Sequence, residues 1–275
     1  MTMERIRPKK ALGQNFLTDR NVLARIVDAV ELAPDDHVLE VGPGQGALTR
    51  LLAAQAASVV AVELDRQLVP LLRREFAANG TVEIVEADIL RADLADLLRT
   101  RWSGHWKVAA NLPYNISTPV LFQFMEHRHL FSRLVLMLQK EVGERLAAPP
   151  DCKEYGVLSV LCQLHFDIRR EFLVKPGSFF PAPKVDSVVL RLVPLPEPRV
   201  AVRDEALFRR VVKAAFSQRR KTLWNCLKSA QFMAEEKQLR DVLAGCGIEP
   251  GRRGETLSLE EFARLANAVE AAVAP

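Results

Sequence analysis

The chain has 275 residues, 49% apolar and 26% charged, enough apolar material for one large domain and a smaller one and too much for a disordered chain. No stretch reaches the roughly 18 uninterrupted apolar residues of a membrane span, and the start lacks the apolar core of a signal peptide, so a globular cytoplasmic protein is expected. The net charge of +4 is mild, but basic residues bunch at both ends: Arg5, Arg7, Lys9 and Lys10, then Arg203, Arg209, Arg210, Lys213, Arg219, Arg220, Lys221 and Lys228.

In chain order, residues 19–31 have the spacing of a helix, with Thr18 or Asp19 placed to cap it. Apolar runs at 37–41, 58–62, 82–87, 107–110 and 134–138 follow, each read as a strand buried on both faces. Helical patterns between them make βαβ units around a largely parallel sheet. Two further runs, 168–174 and 186–193, are joined by the loop 175–184, too short for a crossover helix, so these last two are expected to pair antiparallel. Pro194-Leu-Pro-Glu-Pro198 then marks a boundary, with an α/β domain expected over 1–199 and a small helical domain over 200–275. The four cysteines, Cys152, Cys162, Cys226 and Cys246, have neither metal nor disulfide-framework spacing and are expected to be reduced. His127 and His129 lack a nearby third ligand, so no metal is expected.

The first strand leads into Glu40-Val-Gly42-Pro-Gly44-Gln-Gly46-Ala-Leu-Thr49. Glycines there let the backbone turn sharply and approach a ligand, while the next helix presents amide donors. The loop alone is weak: Gly42-x-Gly44-x-x-Ala47 also meets the dinucleotide fingerprint, and glycines at such junctions often serve packing only. Glu63, about 20 residues on, is placed to accept ribose hydroxyls of either NAD or S-adenosylmethionine. Asp88, after the third strand, can accept a hydrogen bond from a ligand adenine; its plainer reading is a helix cap before Ile89.

Asn111-Leu112-Pro113-Tyr114 follows the fourth strand, at the carboxyl edge where α/β proteins build active sites. An adenine amine is a poor nucleophile because its lone pair is delocalised into the ring. Acceptors that hold its two hydrogens can redirect that pair toward a sulfonium methyl. The Asn111 side-chain oxygen and the Leu112 carbonyl suit that task; Pro113 fixes the turn, and Tyr114 offers a face on which an extruded base stacks. No strong base is needed, because the methylated nitrogen becomes acidic enough to release its proton to water. In the loop 175–184, Phe179 is chosen to close over the other face of the base, with core packing of both Phe179 and Phe180 as the competing reading.

These residues resemble the ribosomal RNA adenine N6,N6-dimethyltransferases, most closely the bacterial small-subunit (16S) enzymes. The likeness spans nearly the whole chain through Lys10-Ala-Leu-Gly-Gln-Asn-Phe-Leu17, Glu40-Val-Gly-Pro-Gly44, Val62-Glu-Leu-Asp65, Asn111-Leu-Pro-Tyr-Asn-Ile-Ser-Thr-Pro119, Met137-Leu-Gln-Lys-Glu-Val142 and Phe179-Phe-Pro-Ala-Pro-Lys-Val-Asp-Ser187. It implies a Rossmann-like class I methyltransferase fold with a mostly parallel seven-stranded sheet and a C-terminal helical domain that helps bind RNA. It also implies that Asn15, Leu17, Gly42, Glu63, Asp88 and Asn111 contact S-adenosyl-L-methionine, and Gly44 of the glycine loop is expected to bind it too. The implied reaction is dimethylation of two adjacent adenosines in the hairpin near the 3′ end of 16S rRNA during ribosome maturation; the immature small subunit is the expected partner and a monomer the expected state.

The nearest rival is a 23S rRNA adenine methyltransferase of the macrolide-resistance type. Ala215-Phe-Ser-Gln-Arg-Arg-Lys-Thr-Leu223 and Glu255-Thr-Leu-Ser-Leu-Glu-Glu-Phe262 resemble the small-subunit enzymes instead, and Arg219, Arg220 and Lys221 suit phosphate contacts that position RNA without reading its sequence. Seen alone, that charge run reads as a solvated helix face. A mainly non-enzymatic assembly checkpoint is a further alternative. An NAD-linked oxidoreductase is disfavoured, since no positioned His, Lys or Tyr pair for hydride chemistry accompanies the loop.

Overall fold

A computed structural model of the chain describes residues 8–9, 12–233 and 235–273. Arg5, Arg7 and the first two residues of the Lys10–Leu17 motif therefore lie outside the described residues. The elements are β1 (Phe16–Leu17), α1 (Arg20–Val30), β2 (His37–Val41), α2 (Ala47–Ala53), β3 (Ser58–Glu63), α3 (Val69–Glu75), β4 (Val82–Glu86), α4 (Leu94–Arg99), β5 (Trp106–Asn111), α5 (Ser117–Glu126), β6 (Phe131–Gln139), α6 (Lys140–Leu146), α7 (Val157–His165), β7 (Phe166–Val174), β8 (Phe179–Phe180), β9 (Ser187–Pro194), α8 (Glu205–Ala215), α9 (Leu223–Ser229), α10 (Glu236–Gly245) and α11 (Leu259–Val273).

Seven strands form one sheet in the order β4-β3-β2-β5-β6-β9-β7. β2 lies between β3 and β5 and runs parallel to both, so the chain order reverses beside it. That reversal opens a crevice at the carboxyl ends of β2 and β5, where open α/β sheets bind ligands. β6 runs parallel to β5, whereas β9 runs antiparallel to β6, pairing Gln139 with Ser187. The runs expected as neighbours, β7 and β9, are neighbours, with β9 inserted between β6 and β7.

Burial follows position in the sheet. β2, β3 and the middle of β5 are buried, because helices cover both faces of the central strands. β4 departs from the expectation of a strand buried on both faces: it is an edge strand, with Glu83 and Glu86 exposed. Glu83 pairs with Arg101 and Glu86 with Arg66, charges that also blunt the open edge. Asp19 is the cap of α1, accepting the amides of Asn21 at 2.9 Å and Val22 at 3.3 Å. Beyond that cap, Val22, Leu23, Ile26, Val27 and Val30 recur at helical spacing and are buried. They join Val38, Ala109, Val135, Met137 and Val189 from the sheet in one core.

The chain groups into two compact units, residues up to Gly143 with Asp167–Pro194, and Glu144–Phe166 with Leu195 onward. The division drawn from sequence at 199/200 thus differs in two segments, Glu144–Phe166 and the short stretch 195–199. A helix after β6 reads as another sheet crossover, yet α7 packs with α8 and α11, burying Val160, Leu161, Cys162 and Leu164. The helical unit has its own core, including Phe208, Val212, Leu223, Leu227 and Phe262.

Gly143 shows how tightly α6 meets the sheet. A Cβ there would lie 2.2 Å from Val188 Cγ1 on β9. Gly143→Ala should gain about 1 kcal/mol of helix propensity and lose more, about 1–3 kcal/mol, to overpacking. Its midpoint in urea should therefore fall below that of the wild type; an unchanged or higher midpoint would show that β9 yields.

Candidate active site

Among the segments that line the crevice, three pack closely together: residues 12–17 entering the fold, the glycine loop after β2, and the turn after β5. Two close approaches fix their spacing. Gly44 has φ +58° and its missing Cβ would come within 3.0 Å of the Phe16 ring. A Cβ on Gly13 would lie 2.7 Å from Asn115 Oδ1. Glycine is needed at both places, for the left-handed backbone and for the close approach.

The turn after β5 begins inside the sheet. Asn111 is the last residue of β5, opposite Met137, and the Leu112 amide donates to the Met137 carbonyl at 3.2 Å. The chain leaves at Pro113, whose carbonyl accepts the Ile116 amide at 3.1 Å. Asn111 Nδ2 donates to the Asn15 carbonyl at 3.1 Å, so the amide nitrogen is committed to the entering segment and its oxygen is turned the other way. The Asn15 side chain in turn donates to the Gly13 carbonyl at 3.2 Å.

Glu63, at the end of β3, is buried and accepts two backbone amides, Asp65 at 2.8 Å and Gly44 at 3.2 Å. Burial pushes its carboxyl pKa up, against the pull of those amides. Asp65, also buried, receives Lys9 Nζ at 2.6 Å and Gln14 Nε2 at 2.9 Å, tying the entering segment to the end of β3. Asp88 Oδ1 accepts the Leu90 amide at 3.0 Å, capping a turn, and the residue lines the crevice.

All of Asn15, Leu17, Gly42, Gly44, Glu63, Asp88, Asn111, Leu112, Pro113 and Tyr114 line this crevice. Phe179 is not part of that lining. It pairs with Leu17 through β1 and β8, is 5% exposed and packs in the core with Val174 and Val189, whereas Phe180 is 60% exposed. Of the two rings weighed for core packing, Phe179 alone takes that place, since alternation along β8 turns its ring inward. Arg219, Arg220 and Lys221 belong to the helical unit and are exposed on the turn between α8 and α9, not on a helix face; Arg219 Nη2 donates to the Lys153 carbonyl at 3.0 Å.

Glu40 was not singled out from sequence as a site residue, although a lone acid inside a strand buried on both faces is a signal. It is 2% exposed, lines the crevice, and its Oε2 has no hydrogen-bond partner among the described residues. Burial pushes its pKa up to about 8, reinforced by Glu63 and opposed by the Thr49 hydroxyl. The tie from Asp65 to Lys9 and Gln14 had no local signal, because it joins residues far apart in sequence.

The donor set discriminates between ligands. Three carboxyl residues, Glu40, Glu63 and Asp88, line the crevice, with no Lys, Arg or His among the described lining residues. The Gly44 amide, which a phosphate would seek at such a loop, is already taken by Glu63. A pyrophosphate fits poorly here. A nucleoside carrying a positive sulfonium and no phosphate fits well.

The family model described as "Ribosomal RNA adenine dimethylase" matches residues 5–270. The chain is 66% identical over 271 residues to the Ribosomal RNA small subunit methyltransferase A of Geobacter metallireducens, covering 98% of each chain. It is 46% identical to the Bacillus cereus protein of the same name, covering 95% of this chain and 91% of that one. Among solved structures, a dimethyladenosine transferase from Plasmodium falciparum superposes with a TM-score of 0.75 at 26% identity, covering 91% of this chain and 95% of that one. The 23S rRNA methyltransferase ErmE superposes with a TM-score of 0.71 at 26% identity, covering 93% and 100%.

The buried Glu40 gives the site a pH signature. Its folded pKa of about 8 lies above the ordinary 4.5, so the folded state holds a proton that the unfolded chain releases between those values. Its contribution to stability is therefore greatest below about pH 4.5, declines as pH rises and levels off above about 8. Glu40→Gln, which cannot ionise, should gain stability relative to the wild type as pH rises from about 5 to about 8 in urea titrations. A constant difference across that window would show Glu40 to be ionised in the fold.

Proposed function

Because the chain belongs to the ribosomal RNA adenine dimethylase family, we propose that it dimethylates N6 of two adjacent adenosines in the hairpin near the 3′ end of 16S rRNA. It is an S-adenosylmethionine-dependent methyltransferase that acts on rRNA. The cofactor supplies an electrophilic methyl group on a sulfonium, so the protein needs to supply placement and acceptors rather than a metal.

The observation that carries the mechanism is the bond from Asn111 Nδ2 to the Asn15 carbonyl at 3.1 Å. With its nitrogen turned to the Asn15 carbonyl, the Asn111 amide faces its oxygen toward a substrate. That oxygen and the Leu112 carbonyl accept the two amine hydrogens and turn the nitrogen lone pair out of conjugation. The target adenine has to leave its stack to reach them, and Tyr114 gives it an aromatic face. After transfer the nitrogen carries a positive charge, and its extra proton passes to water. Glu63 and Asp88 are the proposed partners of the cofactor's ribose and adenine, and Asn15, Leu17, Gly42 and Gly44 shape the rest of its site.

The small subunit is favoured over the large by the 66% identity to a protein named for small-subunit methylation, against 26% to one named for 23S rRNA. We propose that the reaction takes place on the immature small subunit in the cytoplasm and is carried out by a monomer. The helical unit contributes to RNA binding through Arg219, Arg220 and Lys221.

With an undermethylated small-subunit particle as substrate, Asn111→Ala should lower kcat by about 100-fold or more. Tyr114→Ala should slow transfer while leaving S-adenosylmethionine affinity, measured by calorimetry, near the wild-type value. Equal losses of cofactor affinity and rate in Tyr114→Ala would contradict this division of roles.

Changing Arg219, Arg220 and Lys221 together to Glu should weaken binding to the particle and flatten its dependence on salt. Each phosphate no longer neutralised by the protein should take about 0.7–0.9 off the slope of log K against log salt. An unchanged slope would take this turn out of the RNA footprint.

A further inference from the structure

Tyr114 stands on a turn that has already left the sheet, where a phenol ring would be free to swing. Its hydroxyl shares a hydrogen bond of 2.6 Å with the Ser187 hydroxyl. Ser187 is fully buried, the first residue of β9, and stands opposite Gln139 in the antiparallel ladder with β6. Its place is fixed from the neighbouring residue as well: the Asp186 carbonyl accepts the Lys140 amide at 2.9 Å, and the Asp186 carboxylate accepts Lys175 Nζ at 2.7 Å. At the other end of the tyrosine, the Ser117 hydroxyl donates to the Tyr114 carbonyl at 3.1 Å. The residue is therefore held at its backbone by α5 and at the tip of its ring by β9.

We propose that Ser187 is a positioning residue for methyl transfer, fixing the Tyr114 ring so that a base stacked on it presents its amine to Asn111 and Leu112. This rests on the reading that Tyr114 receives the base. Ser187 lies outside the crevice lining and so acts through Tyr114. Burial raises the pKa of the Tyr114 phenol, which stays neutral and keeps the bond through the physiological range. The hydroxyl serves as an anchor and takes no part in proton transfer. The arrangement also gives the antiparallel strand β9 a part in chemistry at the end of a parallel one. Although β6 separates β9 from β5 in the sheet, the Ser187 hydroxyl reaches the turn that follows β5.

Ser187→Ala and Tyr114→Phe break the same bond from opposite sides while leaving the aromatic ring in place. Each should lower kcat about threefold to tenfold on the small-subunit particle, the worth of one hydrogen bond. Cofactor affinity should stay within about twofold of wild type, since each variant removes one bond to Tyr114 and nothing else. The double variant should be no slower than the slower single variant, because the bond can be broken only once. Unchanged kcat in Ser187→Ala, multiplied losses in the double variant, or a parallel fall in cofactor affinity would each overturn the proposal. If Ser187→Ala fails to fold, Tyr114→Phe alone decides, since full activity there would show the anchor to be dispensable. Tyr114→Ala separates the two levels: normal transfer in that variant refutes the stacking role itself, whereas slow transfer there with normal Ser187→Ala refutes only the anchor.

Discussion

Three backbones have to come together at the carboxyl edge of this sheet, and they can do so only where side chains are missing or committed. The Phe16 ring lies against Gly44, Asn115 lies against Gly13, and Asn111 reaches the Asn15 carbonyl at 3.1 Å. The entering segment, the glycine loop and the turn after β5 are thereby fixed to one another. The strand reversal beside β2 puts them in the same place, but these close approaches set the distances. The orientation of Asn111, on which the proposed chemistry depends, is a consequence of that convergence: a segment displaced from Asn15 would free the amide to turn its donor toward the substrate.

Electrostatics and packing reinforce one another in the same small volume. Glu63 commits two of its acceptor positions to the Gly44 and Asp65 amides, which locks the glycine loop to the end of β3. Asp65 then takes Lys9 and Gln14, which returns the entering segment to the same point. Because the Gly44 amide is already taken by Glu63, the bonds that hold the site in shape also deny a phosphate that donor. Glu40 stands apart, a buried acid with an oxygen unpartnered among the described residues and a pKa well above the ordinary carboxylate value. Unsatisfied buried polar groups are uncommon in folded proteins and tend to mark places where a ligand completes the structure.

Much of the fold was readable from hydrophobic pattern, because central strands covered on both faces carry near-continuous apolar runs, and those of β2, β3, β5 and β6 are of that kind. The pattern failed where neighbours decide the outcome. β4 looks apolar through Val82, Ile84 and Val85 but lies at an edge, where Glu83 and Glu86 find arginines. α7 looks like a crossover helix, and only its packing with α8 and α11 shows otherwise. At the site, the glycine loop, Glu63, Asp88 and the Asn111 turn were legible because each sits at a strand end. Asn15 came from family resemblance alone, and Asp65 and Ser187 act through partners 56 and 73 residues away. Phe179 and Phe180 could not be told apart, because a two-residue strand, β8, decides which of two adjacent rings faces inward, and nothing local reveals that strand.

Methylation of adenine amines in the small subunit is tested most directly by mapping N6-methylated adenines in ribosomal RNA from cells with and without the gene, and with the gene carrying Asn111→Ala. Loss of dimethyladenosine at two adjacent positions in the 3′ hairpin of 16S rRNA, in both the deletion and the variant, with 23S rRNA unchanged, is the result expected. Intact methylation of that hairpin, or a loss confined to 23S rRNA, would contradict it.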